Sequence, residues 1–345
     1  DQESEILTEQ YTLSTPEAIT SKLASPTAIR SHLLASIATE MTQTRSETDD
    51  LIAATFFSYQ YDQWEIEHHV SSALTFLEEG GLISIHDDQS FSATPLGHRA
   101  SRLYIDPYTA LLFRDALSQA DALSEIGVLH LICHSPDQPT TYLTRSEFED
   151  YELFLEDYED SLLVQPPDSW EDPEGYSNFL SQIKTARLLE AWIDERMEKD
   201  ITEDYSVGMG DVHRYVHSAD WLAYSASEIA RVVGVTHHIP FLHNLRFRLK
   251  YGVRDELLEL VRLRGIGRIR GRMLFSHGFS NISALYDAPL EKLARIPTIG
   301  TSIAASIKMQ LGQEADRSAI SSEPIEEEQS HSFQTLLEDF ESFND

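Results

Sequence analysis

The sequence has a single cysteine, Cys133, among its 345 residues. A disulfide framework is therefore excluded, and so is a zinc site built from cysteines. No apolar run approaches the roughly 20 residues of a membrane-spanning helix, and the chain does not open with a signal peptide. We therefore expect no membrane partner and a cytoplasmic location. Because the chain opens at Asp1 without a methionine, we expect it to be a piece of a longer protein.

Basic residues are also scarce, and lysine is scarcer than arginine. Asp and Glu number 58 against 26 Lys and Arg, which gives a net charge of −32, and only six of the basic residues are lysines. Such a surface argues against a nucleic-acid partner. It is also typical of proteins from salt-loving organisms, and in about 1 M salt the Debye length is only about 3 Å. We therefore give local charge more weight than net charge.

Length and hydrophobic pattern predict a mainly α fold of two or three domains. Three helices followed by a short hairpin give the order of a winged helix, with Ser46 predicted to cap the second helix. The next part is helical almost throughout, with helices expected at 107–120, 123–134, 145–161, 175–198, 211–234 and 239–251. The predicted divisions are a linker or the end of a preceding domain (1–24), a winged helix (25–105), a helical domain (106–251), a tandem helix-hairpin-helix (252–311) and a disordered acidic tail (312–345).

One predicted helix, 211–234, carries an unusual aromatic residue. Its apolar positions cluster on one face, yet Trp221 lies on the polar side, and Arg214 lies two turns before it on that same side. An exposed tryptophan on an acidic helix is costly unless something covers it. The cover is either another domain or a nucleic-acid base stacked on the indole, with Arg214 on a neighbouring base or phosphate.

Two glycine-containing turns near the end of the chain repeat the same pattern. Gly265 and Gly267 separate two apolar-periodic segments, which is typical of a helix-hairpin-helix that offers backbone N–H groups to a phosphate. A second hairpin places Gly300 33 residues after Gly267. There Thr298 replaces the first glycine, so we expect that hairpin to be structural. Two such hairpins in tandem favour a DNA-binding module, and the alternative is a plain helical packing unit.

The first hairpin also lies in a locally basic segment. Nine bases and three acids lie between Arg246 and Arg272, a local charge of +6 within a chain of −32. Arginine suits phosphate because its planar fork bonds two oxygens, although a charge run is often only a solvated face. The predicted phosphate-binding residues are Arg264, Gly265, Gly267, Arg268, Arg270 and Arg272.

Catalytic patterns are missing from the sequence. There is no GxxxxGK[ST] phosphate loop, and no Ser/His/Asp or paired-carboxylate arrangement is recognisable. His130, Cys133 and His134 share a helical face, but without a carboxylate partner we predict no metal site. We therefore expect this chain to hold no catalytic residue and to bind no cofactor.

The acidic tail holds one short candidate motif. Gln334 is followed by Leu337 and Phe340, which is the spacing of a peptide that binds a sliding clamp by placing two apolar side chains in a groove. Glu341 stands where a second aromatic is usual. The alternative is an amphipathic fragment in a disordered tail.

Several separated strings resemble a known family over residues 20–311. They are Thr94-Pro-Leu-Gly97, Leu103-Tyr-Ile-Asp-Pro107, Lys184-Thr-Ala186, Trp192-Ile-Asp194, Ala219-Asp-Trp221 and the segment from Tyr251-Gly-Val253 to Arg272. In this order they resemble the archaeal DNA repair helicases of the Ski-two-like branch of superfamily two. Those helicases are related to the helicase part of DNA polymerase theta.

The resemblance implies the C-terminal half of an ATP-dependent helicase that unwinds DNA 3′ to 5′ at branched or stalled forks. ATP and Mg²⁺ would be bound by two RecA-like motor domains that precede this part. Arg214 and Trp221 would correspond to the arginine and tryptophan of the family's ratchet helix, which threads single-stranded DNA. The segment from Arg268 to Arg272 would match the family's Arg-rich hairpin segment, with Gly271 where alanine is usual.

We therefore expect a monomer that binds single-stranded and forked DNA and that does not hydrolyse ATP by itself. Two alternatives remain open at this point. One is an RNA helicase of the same branch, which the tandem hairpins disfavour. The other is a non-enzymatic DNA-binding protein with a winged helix and a helix-hairpin-helix.

Overall fold

The structure is a computed structural model that describes residues 18–312. Residues 1–17 of the predicted linker and residues 313–345 of the predicted tail lie outside this range. The mainly α fold class is confirmed, because a single two-stranded sheet is the only β structure in the described part. The chain divides between Arg254 and Asp255 into two compact units. The predicted boundary between the helical domain and the hairpins lies three residues earlier, after Tyr251.

The first unit begins with the helices and hairpin of a winged helix. A 3-10 turn at Lys22–Ala24 precedes them, and β1 and β2 pair antiparallel with Ser84 opposite Ser92. The elements are α1 (Pro26–Ala38), α2 (Arg45–Ala53), α3 (Phe56–Gln60), α4 (Gln63–Glu79), β1 (Ile83–Ile85), β2 (Phe91–Ala93) and α5 (Pro95–Leu103).

The start of α2 differs from the sequence prediction. Ser46 is not its cap: the Thr44 hydroxyl accepts from the Glu47 amide, and the Glu47 carboxylate accepts from the Thr44 amide. This reciprocal capping box satisfies two N–H groups at once. The box therefore starts the helix one residue before Ser46.

The helical domain follows within the same unit. Its elements are α6 (Pro107–Gln119), α7 (Glu125–His134), α8 (Phe148–Tyr158), α9 (Pro173–Ile193), α10 (Glu198–Tyr205), α11 (Met209–Val233) and α12 (Ile239–Tyr251). The prediction of a single helix over 175–198 is wrong at its C-terminal end, because α9 ends at Ile193. Glu195 adopts a left-handed conformation, with φ 63°, and α10 starts a new direction. No glycine marks this break in the sequence.

Helix α11 lies at the centre of the first unit. It packs against α5 of the winged helix and against α6, α7, α9 and α12 of the helical domain. Its fully buried face includes Ala219, Ala223, Ala226 and Ala230. Small side chains let the neighbouring helices approach closely. The two predicted domains therefore share one continuous apolar core.

The second unit is a set of short helices with its own core. After a 3-10 turn at Asp255–Leu257 come α13 (Leu258–Val261), α14 (Arg268–Ser276), α15 (Ile282–Asp287), α16 (Leu290–Ala294) and α17 (Gly300–Gln310). Its fully buried side chains are Leu257, Leu260, Leu274, Leu285, Leu293, Ala304, Ala305 and Ile307. Within residues 18–312, no helix of either unit combines the length and the apolar character that crossing a membrane requires.

Gly97 at the start of α5 permits a close backbone contact. Its amide donates to the Thr94 cap at 3.1 Å, and a Cβ added at Gly97 would lie 1.9 Å from the Leu82 carbonyl oxygen. We expect Gly97→Ala to destabilise the first unit by about 1–3 kcal/mol, because the β-to-helix corner must open. Chemical denaturation followed by tryptophan fluorescence measures this, since all four tryptophans lie in residues 1–254.

Gly210→Ala is the matched control for this change. Gly210 lies in the first turn of α11 with open space where a Cβ would be. Alanine there should leave stability unchanged or raise it slightly, because alanine favours a helix more than glycine does. Equal stability of the two variants would contradict the close contact at Gly97.

The burial of His130 in α7 should make the stability of the first unit sensitive to acid. It is fully buried, its ring lies 4.4 Å from that of Phe179, and neither ring nitrogen has a partner within the described residues. Burial, with the nearby His134 as a smaller contribution, lowers the pKa of His130 to about 3. The unfolded chain therefore takes up a proton below about pH 6.5 while the folded chain does not.

We expect this difference to remove about 2 kcal/mol of stability as the pH falls from about 7.5 to about 5. His130→Leu should lose that component of the pH dependence, whereas the exposed His68→Gln should keep it. Urea denaturation at several pH values measures the difference between the curves of variant and parent. If the plots of unfolding free energy against pH are parallel for His130→Leu and the parent, His130 takes up its proton equally in the folded and the unfolded chain, which would contradict the lowered pKa.

Candidate nucleic-acid interface

Helix α11 leaves one side uncovered by the core. We call Arg214, His217 and Trp221 the α11 strip, since spacings of three and four residues place them on one side of the helix. The Arg214 side chain is 60% exposed, 3.2 Å from the Asp211 carboxylate and 5.3 Å from the ring of Tyr215. Both neighbours belong to the same helix turn. The guanidinium is thus positioned locally and faces outward.

Trp221 is half-buried and has a partner in the winged helix. Its indole Nε1–H donates to the carbonyl oxygen of Leu103, the last residue of α5, at 3.2 Å. Sequence analysis predicted that either another domain or a stacked base covers this side chain, and the winged helix covers part of it. The side chain also packs against the apolar core, and only a minor part of it is open to solvent. Its predicted role in binding DNA stays a prediction.

A second contact fixes the direction of α5 along α11. Arg99 lies 3.1 Å from the buried carboxylate of Glu228, which also pairs with Arg231. Because Arg99 precedes Leu103 while Glu228 follows Trp221, the two helices run antiparallel. The end of α5 therefore points towards the N-terminal part of the α11 strip.

The loop before α6 is held to the same helix through Asp137. One carboxylate oxygen of Asp137 accepts from the Asp106 amide at 2.8 Å and from the Thr109 hydroxyl at 2.6 Å. The Asp137 carbonyl accepts from the Ser218 hydroxyl at 3.2 Å. Burial raises the pKa of Asp137, opposed by its hydrogen bonds with Thr109 and Asp106. These bonds join the start of α6 and the loop that holds Asp137 to α11, next to the end of the winged helix.

Part of the predicted basic segment stabilises the helical domain. Arg246 pairs with the buried Asp220 at 3.1 Å and lies over the ring of Tyr224. Burial raises the pKa of Asp220, and Arg246 opposes that rise. The buried Arg248 pairs with Glu125. The run between Arg246 and Arg272 is therefore not a single charged surface, because its first members are structural and belong to the first unit.

The first hairpin turn has the backbone that its glycines predict. Gly265 adopts a left-handed conformation, with φ 81°, and Gly267 is the residue before α14. Gly267 has no side chain to cap the helix, so the first N–H groups of α14 need other acceptors. A helix start of this kind suits an anion such as a phosphate.

The hairpin arginines differ in what they contact. Arg270 donates to the Gly265 carbonyl at 3.0 Å and to the Thr298 carbonyl at 3.2 Å, so it joins the two hairpin turns. Arg272 pairs with Glu256 at 2.9 Å. The backbone of Arg264 exchanges two hydrogen bonds with the Gln310 side chain. Thr298 takes the left-handed conformation, with φ 70°, that glycine takes in the first turn.

The other predicted positions are placed as follows. Gln334, Leu337 and Phe340 lie outside the described residues. Within residues 18–312 no group of His, Cys, Asp or Glu is arranged to hold a metal ion. Cys133 is buried, and burial raises the pKa of its thiol. The anchoring residue Asp137 escaped sequence analysis because a loop aspartate has no periodic or motif signal.

Three family models match successive parts of the chain. A helix-turn-helix domain matches residues 9–84, the archaeal helicase domain 4 matches residues 126–252, and a SAM-like tandem helix-hairpin-helix matches residues 257–313. Their order confirms the predicted succession of a winged helix, a helical domain and tandem hairpins. The helicase model covers α11 and with it the α11 strip.

Curated relatives agree with these matches. The ATP-dependent DNA helicase Hel308 of Methanocella arvoryzae is 35% identical over 313 residues, which are 90% of this chain and 42% of the relative. The Hel308 proteins of Pyrococcus horikoshii and Thermococcus kodakarensis are also 35% identical, over 91% and 89% of this chain and 44% and 28% of the relatives. The chain thus spans less than half the length of these relatives.

The resemblance to archaeal DNA helicases is therefore confirmed in sequence and in domain order. The chain is a homologue of the archaeal Hel308 DNA helicases over about nine tenths of its own length.

Proposed function

We propose that the chain is the DNA-binding C-terminal half of an ATP-dependent 3′ to 5′ DNA helicase that acts on branched or stalled forks in repair. The observation that carries this proposal is the α11 strip. An arginine and a partly exposed tryptophan lie two turns apart on a helix whose other faces are largely buried in the shared core. A strand on this strip would contact a rigid support.

The two ends of the strip suit different parts of a nucleotide. Arg214 and Trp221 are seven residues apart, which is about 10.5 Å along a helix. The open part of the indole offers a stacking surface to a base, and the exposed guanidinium suits a phosphate or a second base. Between motor strokes, stacking on Trp221 would hold the strand against slipping while Arg214 steadies its backbone.

The first hairpin would hold the strand by its phosphates. In this proposal the N–H groups at the start of α14, together with Arg264 and Arg268, face the phosphates. Arg270 and Arg272 keep the turn in shape through the Gly265 and Thr298 carbonyls and Glu256. The second hairpin, with Thr298 in its turn, is structural.

ATP and Mg²⁺ belong to another part of the proposed helicase. The sequence has no GxxxxGK[ST] pattern, the loop with which many proteins cradle the phosphates of a nucleoside triphosphate. ATP would supply the energy for translocation on motor domains like those implied by the resemblance. This chain would hold the strand. We further propose a cytoplasmic monomer whose tail reaches a sliding clamp through Gln334, Leu337 and Phe340.

Loss of either end of the α11 strip should weaken the binding of single-stranded DNA. We expect Trp221→Ala to lose about 1–3 kcal/mol of binding free energy, the usual range for one stacked base. Trp221→Phe should lose less, since it keeps an aromatic face and loses only the hydrogen bond to Leu103. Arg214→Ala should weaken binding. It should also reduce the slope of log binding constant against log salt concentration by about 1, the value for one phosphate contact. Fluorescence anisotropy of labelled DNA measures all three.

Arg196→Ala is the control for Arg214→Ala. Arg196 is an exposed, ion-paired arginine of the helical domain outside α11, so its loss makes the same change in net charge. An RNA of equal sequence distinguishes a DNA helicase from an RNA helicase. If Trp221→Ala binds DNA as tightly as the parent while remaining folded, the α11 strip is not the DNA site.

Arg270 should matter for the hairpin unit even without DNA. We expect Arg270→Ala to speed amide hydrogen exchange in both turns, around Gly265 and around Thr298, because one guanidinium joins them. Hydrogen exchange with mass spectrometry measures this peptide by peptide. Arg295→Ala is the matched control, an exposed arginine of the same unit. Unchanged exchange in Arg270→Ala would mean that this guanidinium is not a structural bridge.

A further inference from the structure

Tyr104 combines an unfavourable backbone with an exposed ring. It ends α5 in the left-handed conformation, with φ 56° and ψ 25°, and its side chain is 79% exposed. Residues other than glycine, asparagine and aspartate seldom adopt this conformation, and for a bulky side chain it is costly. Within residues 18–312 the Tyr104 side chain makes no hydrogen bond, ion pair or ring contact. The fold therefore gains nothing visible from having tyrosine here.

The position of Tyr104 is fixed from both sides. The preceding carbonyl, that of Leu103, accepts from the Trp221 indole, so Trp221 contacts the peptide unit that ends at the Tyr104 nitrogen. Two residues later the Asp106 amide donates to Asp137, whose carbonyl accepts from Ser218. Along the axis of α11, the backbone of Tyr104 therefore lies between the positions of Trp221 and Ser218. Arg214 lies one turn beyond Ser218 in the same direction.

This placement puts an exposed aromatic residue beside the gap between the two ends of the α11 strip. The backbone on either side of Tyr104 is bonded to α11 through Leu103 and through Asp106 and Asp137, so the residue that carries the ring is held next to α11. The left-handed turn ends α5, but a bulky residue is an unfavourable choice for it, and such residues are often found where a side chain is presented to a ligand. An open tyrosine face in such a place suits a base.

We propose that Tyr104 is a further base-stacking residue of this surface, which binds single-stranded nucleic acid together with Trp221 and Arg214. This inference rests on the proposed function, since the ligand is the same strand. It adds a residue from the winged helix to a site otherwise built on the helical domain. Arg102 lies three residues after Arg99 in α5 and is exposed. In the proposal it contacts the adjoining phosphate.

Tyr104→Gly tests the proposal because the two roles of the residue predict opposite results. Glycine adopts the left-handed conformation without cost, so the melting temperature should stay equal or rise. Loss of the stacking ring should weaken binding of labelled single-stranded DNA roughly 5- to 100-fold. Tyr104→Phe should bind like the parent. Tyr142→Gly is a matched control, since Tyr142 is 83% exposed on the same unit and its own carbonyl is bonded to Lys184 of α9 rather than to α11.

Abasic positions in the DNA make the test specific. One abasic site should weaken binding by the parent, and at that position Tyr104→Gly should cause no further loss. If Trp221→Ala weakens binding while Tyr104→Gly binds like the parent, the proposal for Tyr104 is overturned and the proposed function stands. If the parent binds no single-stranded DNA, both are overturned. Equal losses for Tyr104→Gly and Tyr142→Gly would also overturn the proposal, since any surface tyrosine would then serve.

Discussion

The packing of α11 is the constraint on which the first unit depends. One helix supplies buried alanines to a core shared by the winged helix and the helical domain, and one side of it stays open. The bond from the Trp221 indole to the Leu103 carbonyl and the pair between Arg99 and Glu228 hold the winged helix at this open side. A candidate binding strip therefore lies on the most firmly supported helix of the unit. Such a location suits a surface that must hold a strand under load.

The few basic residues of this acidic chain are largely used within the fold. Arg30 with Asp106, Arg246 with Asp220 and Arg248 with Glu125 are ion pairs with at least one buried partner. Breaking a buried pair leaves an uncompensated charge, which costs far more than losing a surface pair. High salt screens such pairs much less than exposed charges. This explains why local counts of arginine overstate the charge available to a ligand.

Sequence analysis predicted what periodicity and spacing encode. The mainly α class, the bounds of α6 and α12 and the shared side of Arg214 and Trp221 all follow from apolar repeats. The rest depends on contacts between residues far apart in the chain. Nothing near Trp221 in sequence indicates Leu103, and nothing near Arg270 indicates the Thr298 carbonyl. The break at Glu195 has no glycine to announce it, and the left-handed Tyr104 stands where sequence rules favour glycine or asparagine.

The central claim is that single-stranded DNA lies along the open side of α11. Photo-crosslinking with DNA that carries bromodeoxyuridine at successive positions, followed by mass spectrometry of the peptides, tests it most directly. The account predicts crosslinks to peptides that contain Trp221 and Tyr104, in addition to any in the hairpin unit. Crosslinks confined to residues 255–312, with none on α11 or at the end of α5, would contradict it.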